Sequence, residues 1–260
     1  NNWNKGDTLI QKNLAKTLDL IKRNKRDGFY SGSVAKLIMD EMNSGNGIIT
    51  LEDLNKYVSI WRDPIIGNYK NYKIISMGPP SSGGIALTQL LKATEAFPIS
   101  DWGFNSLKTI NLMTEIESRV YADRATYLGD PDYYNVPNEI LISDQYINNR
   151  FKIIKPEIKT TSENIKEGEM ILNESDETTH FSIVDKFGNA VAITTTLNGS
   201  YGSKVVVSGA GFLLNNEMDD FSSKPGIPNA YGLVGNIANA IEPGKRMLSS
   251  MSPSIVETPA

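Results

Sequence analysis

Thr178 and Thr196 lie near the outer ends of two β-patterned runs, Thr178-Thr179-His180-Phe181-Ser182-Ile183-Val184 and Ala190-Val191-Ala192-Ile193-Thr194-Thr195-Thr196-Leu197. The segment between them, Asp185-Lys186-Phe187-Gly188-Asn189, is a hairpin signal with Gly and Asn where a positive φ is needed. A turn centred on Phe187 sets Thr178 opposite Thr196, where cross-strand Cβ atoms lie about 5 Å apart and hydroxyls can hydrogen-bond. A slip of one residue would turn the pair to opposite faces, and a Thr–Thr pair is also an ordinary way to build a sheet. A chemical reading stands beside that one. If the Glu177–Thr178 peptide bond were cut, Thr178 would carry a free α-amine beside its hydroxyl. An α-amine, with a pKa of about 8, can act as a base near neutral pH. One residue would then supply both nucleophile and base. His180 falls on the same strand face as Thr178 and could tune such a site. A packed, hydrogen-bonded imidazole is the plainer reading.

Polar clusters follow downstream. Asn198-Gly199-Ser200 comes directly after the second run; it has the form of a glycosylation sequon, discounted here for a buried site. Phe212-Leu213-Leu214 runs straight into Asn215-Asn216-Glu217-Met218-Asp219-Asp220. Acids at the end of an apolar strand suit an ammonium group or a divalent cation, or form a solvated exit from the strand. EF-hand spacing is absent. Further on, Lys245-Arg246 precedes Ser249-Ser250. Such groups suit a carboxylate, although a Lys-Arg pair is also a common surface feature. Gly244-Lys245 lacks the spacing of a phosphate-binding loop. Together the clusters suggest a zwitterionic substrate: acids for its ammonium, serine hydroxyls for its carboxylate and Thr178 for its acyl carbon.

Composition narrows the alternatives. With 260 residues the chain is long enough for one large domain or two small ones. Hydrophobic residues at 40 % and charged ones at 22 % exclude a largely disordered chain. A balance of 26 basic and 30 acidic residues leaves no general basic face for nucleic acid. No stretch approaches the run of about 18 apolar residues that spans a bilayer. The absence of Cys removes disulfides, zinc ribbons, iron–sulfur clusters and thiol nucleophiles. A single His excludes any site built on two imidazoles, and a Ser-His-Asp triad would have to use His180. The first residues lack an initiator Met and the pattern of a signal peptide, and both ends read as cuts in a longer protein.

The elements that must position these groups begin with about 60 residues that read as helical. Asp7 is the expected N-cap of a helix over Thr8–Asn24, with Leu9, Ile10, Leu14, Leu18 and Ile21 on one face. A second helix is expected over Ser33–Met42, and Thr50-Leu51-Glu52-Asp53 has the spacing of a capping box. Pro64–Met77 suggests a strand pair around Gly67-Asn68. Pro79-Pro80-Ser81-Ser82-Gly83-Gly84 breaks the chain before a helix over Ile85–Phe97. Ser106 caps a longer helix through Ile110, Met113, Ile116, Val120 and Tyr121, and Leu141–Ile154 reads as helical. Residues 155–177 are rich in Lys and Glu and poor in large apolar side chains, which favours an exposed, mobile connector or an ordinary surface loop. A strand is expected to begin just before the C-terminus.

Several of these strings are similar to one family. Thr178-Thr179-His180 through Thr196-Leu197-Asn198, Leu213 through Phe221, Pro228-Asn229-Ala230-Tyr231-Gly232-Leu233 and Lys245 through Pro253 closely resemble the small subunit of γ-glutamyltranspeptidases. Pro79 through Gly84, Tyr121-Ala122-Asp123-Arg124 and Tyr127-Leu128-Gly129-Asp130-Pro131-Asp132 resemble the large subunit. The resemblance implies an α+β N-terminal-nucleophile hydrolase fold, a four-layer αββα sandwich present here in part. Residues 1–177 would be the C-terminal part of the large-subunit region and 178–260 the N-terminal part of the catalytic small subunit, together one domain. It implies self-cleavage between Glu177 and Thr178, giving a large/small subunit heterodimer. Thr178 would be the nucleophile and Thr196 its hydrogen-bond partner. Asn198, Glu217 and Asp220 would hold the α-amino end of a γ-glutamyl group, and Ser249 and Ser250 its α-carboxylate. The substrate would be a glutathione-like γ-glutamyl amide, the acceptor an amino acid, a peptide or water, and no cofactor or metal would take part. Family members also carry an upstream segment with a carboxylate-binding Arg and a Gly-Gly oxyanion pair beyond Ala260. Periplasmic or secreted placement is implied. The alternatives are an amide acylase or capsule-polymer transferase of the same fold, or a truncated piece without activity.

Overall fold

Leu14, Thr17 and Ile21 share one side of helix α1 (Lys12–Asn24), and the buried Thr17 hydroxyl donates to the Ala210 carbonyl at 2.8 Å. In this computed structural model, which describes residues 4–161, 164–165, 178–227 and 235–259, that helix starts later than its apolar pattern suggests. Leu9 and Ile10 precede it and are exposed, as is Leu18. Asp7 accepts instead from the Asn4 backbone N–H at 2.7 Å, closing a turn of its own. Helices α2 (Asp27–Tyr30), α3 (Gly32–Gly45) and α4 (Leu51–Lys56) follow. The capping box forms as expected: Asp53 N–H donates to Thr50 Oγ1 at 3.2 Å, and Thr50 N–H to Asp53 Oδ2 at 2.8 Å. Val34, Ile38 and Met42 of α3 form a core with Val207 and Ala210. These segments, Asn1–Trp61 and Leu197–Asn216, make one compact unit.

The second unit comprises Arg62–Thr196 and Glu217–Ala260. It opens with the expected strand pair, β1 (Ile65–Tyr69) and β2 (Tyr72–Ser76), but the reversal is at Lys70-Asn71, where Lys70 has φ 52°. Gly67 lies within β1 rather than at the turn, and a Cβ there would meet the Thr88 hydroxyl at 2.6 Å. Helix α5 (Gly83–Thr94) begins at the glycine pair expected to break the chain. A Cβ on Gly83 or Gly84 would stand 2.3 Å from the Met251 carbonyl oxygen or 2.4 Å from that of Met77, so only glycine lets the first turn seat there.

Ser106 caps α6 (Leu107–Tyr127), accepting from Thr109 N–H at 3.2 Å. Short helices α7 (Asn138–Leu141) and α8 (Asp144–Phe151) replace the single helix expected from Leu141. Leu112, Ile116 and Val120 of α6 form a core with Ala93, Ile147, Phe151 and Ile154. A second cluster joins Ile65, Ile85, Leu128, Val136, Leu141 and Leu248. The start of the acidic connector is tied to α6: Thr160 N–H donates to Glu115 Oε1 at 2.6 Å, and Asn111 Nδ2 to the Pro156 carbonyl at 2.8 Å. Residues 166–177 lie outside the described residues.

Strands β3 (Thr178–Val184) and β4 (Ala190–Thr196) pair antiparallel, and β5 (Ser254–Glu257) joins a separate sheet ordered β1-β2-β5. In the β3–β4 turn Gly188 takes φ 85°. Asn189 does not; its backbone and side-chain N–H groups donate to the Asp185 carboxylate at 2.9 and 2.8 Å. Among the described residues no helix is long and apolar enough to cross a membrane.

Candidate active site

The β3–β4 register sets Thr178 directly opposite Thr196, as the hairpin pattern predicts. Alternate residues of β4 are half-buried, and Thr196 is one of them. Glu177, the other side of the expected cleavage point, lies outside the described residues. His180 is hydrogen-bonded, with Nδ1 2.9 Å from Thr194 Oγ1 and Nε2 3.1 Å from Ser182 Oγ. It is exposed rather than packed, because β3 is exposed from Thr179 to Val184.

Asn198 belongs to the first unit. It takes a left-handed φ of 69°, and its Nδ2 donates to the Asn216 carbonyl at 3.3 Å, while Gly199 N–H donates to Asn216 Oδ1 at 2.8 Å. Asn readily adopts that backbone region, and the paired amides hold the loop in shape.

In the second unit, Glu217 and Asp220 open and close a single 3-10 turn, so one turn presents both carboxylates. Glu217 is 9 % exposed; burial, and then the Asp220 charge, push its carboxyl up to about 7. Burial pushes Asp220 up to about 6, opposed by the Arg124 cation and reinforced by Asp219. Both carboxyls are raised, Glu217 more than Asp220, and a cationic group beside them would favour the ionised forms.

Ser249 and Ser250 sit on a segment fastened at several points. Ser249 N–H donates to the Pro80 carbonyl at 2.9 Å, and the Ser249 carbonyl accepts from Ser82 N–H and Oγ at 2.8 and 2.9 Å. The Pro79–Pro80 peptide is cis. Asn239 braces the acidic turn to this segment: its Nδ2 donates to the Asp220 carbonyl at 2.7 Å, and its Oδ1 accepts from Leu248 N–H at 2.9 Å.

The basic pair Lys245-Arg246 does not supply the expected cation beside the serines. Lys245 is buried and bridges to Glu242 at 2.9 Å. Arg246 N–H donates to Asp130 Oδ2 at 2.8 Å, and its guanidinium approaches Asp132 at 3.9 Å. The cation at the serines is Arg124 of α6, whose Nη2 donates to Ser250 Oγ and whose Nε donates to Ser82 Oγ, both at 3.1 Å. Burial lowers this guanidinium to about 10, with Asp220 opposing that shift. Sequence reading missed both Arg124 and Asn239. Arg124 had a signal, since it continues the fully buried i, i+4 row Leu112, Ile116, Val120. A charge on such a row must find partners, and its place in the helix shows that it is buried but not what it meets.

The chain is 50 % identical over 252 residues to a glutathione hydrolase proenzyme of Escherichia coli K12, covering 97 % of this chain and 43 % of that one. The crystal structure of Helicobacter pylori γ-glutamyltranspeptidase aligns at TM-score 0.61 and 44 % identity, covering 67 % of this chain and 50 % of that one. A cephalosporin acylase from Bacillus halodurans aligns at TM-score 0.77 and 25 % identity, covering 97 % and 43 %. The chain thus spans half or less of the length of each of these proteins. The Gamma-glutamyltranspeptidase family profile matches residues 1–259, and the chain belongs to that family.

Proposed function

We propose that the chain is the part of a γ-glutamyltransferase and glutathione hydrolase precursor that carries the self-cleavage point and the nucleophile. Residues 1–177 are the end of the large-subunit region and 178–260 the start of the small subunit, both in one αββα N-terminal-nucleophile domain. The pairing of Thr178 with Thr196 carries the reading, since it begins a strand at the proposed nucleophile. In the precursor, Thr178 Oγ attacks the Glu177 carbonyl carbon and the C–N bond breaks, leaving an ester and the Thr178 α-amine. Water hydrolyses that ester, freeing the Glu177 carboxylate. In turnover the α-amine takes the Thr178 hydroxyl proton as Oγ attacks the γ-carbonyl of the donor, and returns it to the departing amine. The γ-glutamyl ester then passes to water or to an acceptor amine. Glu217 and Asp220 hold the donor ammonium, Ser249 and Ser250 its carboxylate, and Thr196 steadies the Thr178 hydroxyl. Glutathione as donor, a two-subunit product and a periplasmic or secreted location go with this reading.

Intact mass under denaturing conditions tests it first. Cleavage divides the 28.7 kDa chain into a larger piece ending at Glu177 and a smaller one beginning with Thr178. Thr178→Ala should leave the chain whole and abolish turnover of a γ-glutamyl anilide; a cleaved, active alanine variant would refute the assignment. The likeness to the cephalosporin acylase favours a second reading, amide acylase activity. Turnover of a cephalosporin side-chain amide in preference to the γ-glutamyl anilide would establish it.

A further inference from the structure

A guanidinium has five N–H donors and no acceptor, so every group it hydrogen-bonds must accept. Arg124 lies on two serine hydroxyls at once, Ser82 Oγ from Nε and Ser250 Oγ from Nη2, each at 3.1 Å. Each hydroxyl has one proton, and the contact with Arg124 leaves that proton for another partner. Ser82 gives its proton to the Ser249 carbonyl at 2.9 Å, which fastens the serine segment to the start of α5. Ser250 is exposed and gives its proton to no acceptor among the described residues. The buried cation therefore leaves Ser250 as a donor towards solvent and whatever anion occupies the site. We propose that Arg124 is a positioning residue that commits the Ser250 hydroxyl to donation and so sets the site's preference for a carboxylate over a carboxamide. This rests on the reading of Ser250 as part of the donor's α-carboxylate site.

The geometry gives the preference a cause. A hydroxyl free to rotate can donate to a carboxylate or accept from an amide NH2 with little discrimination. One whose oxygen is already held by a charged donor has lost part of its capacity to accept, so an amide NH2 turned towards it meets an N–H aimed at the same lone pairs. Arg124 is 8 % exposed, and the same cation faces Asp220. A lysine would keep a positive charge near Asp220, but its single nitrogen cannot stand at both the Nε and Nη2 positions. Arg124→Lys thus separates the hydroxyl relay from simple charge.

The test is calorimetric binding of L-glutamate and of its α-carboxamide to the purified chain, in wild type, Arg124→Lys, Ser250→Ala and the double variant, with circular dichroism to verify folding. Wild type should prefer the acid by about tenfold or more, the size expected from one charge-assisted hydrogen bond. Arg124→Lys and Ser250→Ala should each remove most of that preference. In the Ser250→Ala background Arg124→Lys should change it no further, an outcome a merely structural arginine would not give. An acid preference retained in Arg124→Lys, or absent from wild type, would overturn the proposal. Should Arg124→Lys not fold, an unchanged preference in Ser250→Ala would do so alone, and its loss would support the relay. Turnover of γ-glutamyl anilide is followed in parallel. Binding with the expected preference but without turnover would count against the transferase reading and leave the assignment of Arg124 standing.

Discussion

Glu217 and Asp220 carry the pH behaviour of the candidate site. Burial raises both carboxyls, Glu217 to about 7 and Asp220 to about 6. In the folded chain they keep protons that the unfolded chain has already released, so folding binds protons across this range. Stability from these groups is therefore full below the ordinary carboxylate range and is lost as pH rises towards 7. Glu217→Gln preserves shape and removes one titration. Its thermal midpoint should fall less than that of wild type between about pH 5 and 8; parallel curves would show that Glu217 is not held protonated. Binding has the opposite sign. An ammonium ligand pairs with the ionised forms, so glutamate affinity should strengthen over the same interval, and Glu217→Gln should flatten that rise.

At the scale of elements, the Asn239 side chain ties the acidic 3-10 turn to the serine segment. Asn239 is 3 % exposed and spans from the Asp220 carbonyl to Leu248 N–H. Asn239→Ala would leave the buried Leu248 N–H without its acceptor, a loss of about 1–3 kcal/mol. Denaturant unfolding should register that cost as a lower midpoint, and glutamate affinity should fall with it if the proposed zwitterion site loses its brace. A variant as stable as wild type would mean that another group satisfies Leu248. Much at this scale was legible in the sequence. The Thr50 capping box, the Ser106 cap and the Thr178–Thr196 register follow from local chemistry and appear where expected. The misplaced boundaries have tertiary causes. Helix α5 reaches back to Gly83, where the Met251 carbonyl leaves no room for a Cβ and so admits only glycine. The connector is not free from its outset, because Glu115 and Asn111 of α6 hold residues 156 and 160.

For the whole molecule, a site assembled from distant stretches couples ligand binding to folding. A ligand that binds only the native chain stabilises it by about 2.7 kcal/mol at about 100 times its Kd. L-Glutamate should accordingly raise the unfolding midpoint of the chain, and no rise at saturating concentration would mean that the zwitterion site is not formed in this part of the protein. The net charge of −4 and the lack of Cys set the broad class, and the order of motifs placed the chain in its family. Those features are local: a hairpin turn, a cap or a strand register depends on neighbours within a few residues or on one strand partner, and the sequence alone determines them. Sequence alone could not say which cation meets Ser250. Lys245 and Arg246 are nearest along the chain, yet their charges are taken by Glu242 and Asp132, and Arg124 reaches the hydroxyl from the far end of α6. Only the tertiary structure decided that, because a buried charge is placed by the partners that packing brings to it rather than by its neighbours in sequence.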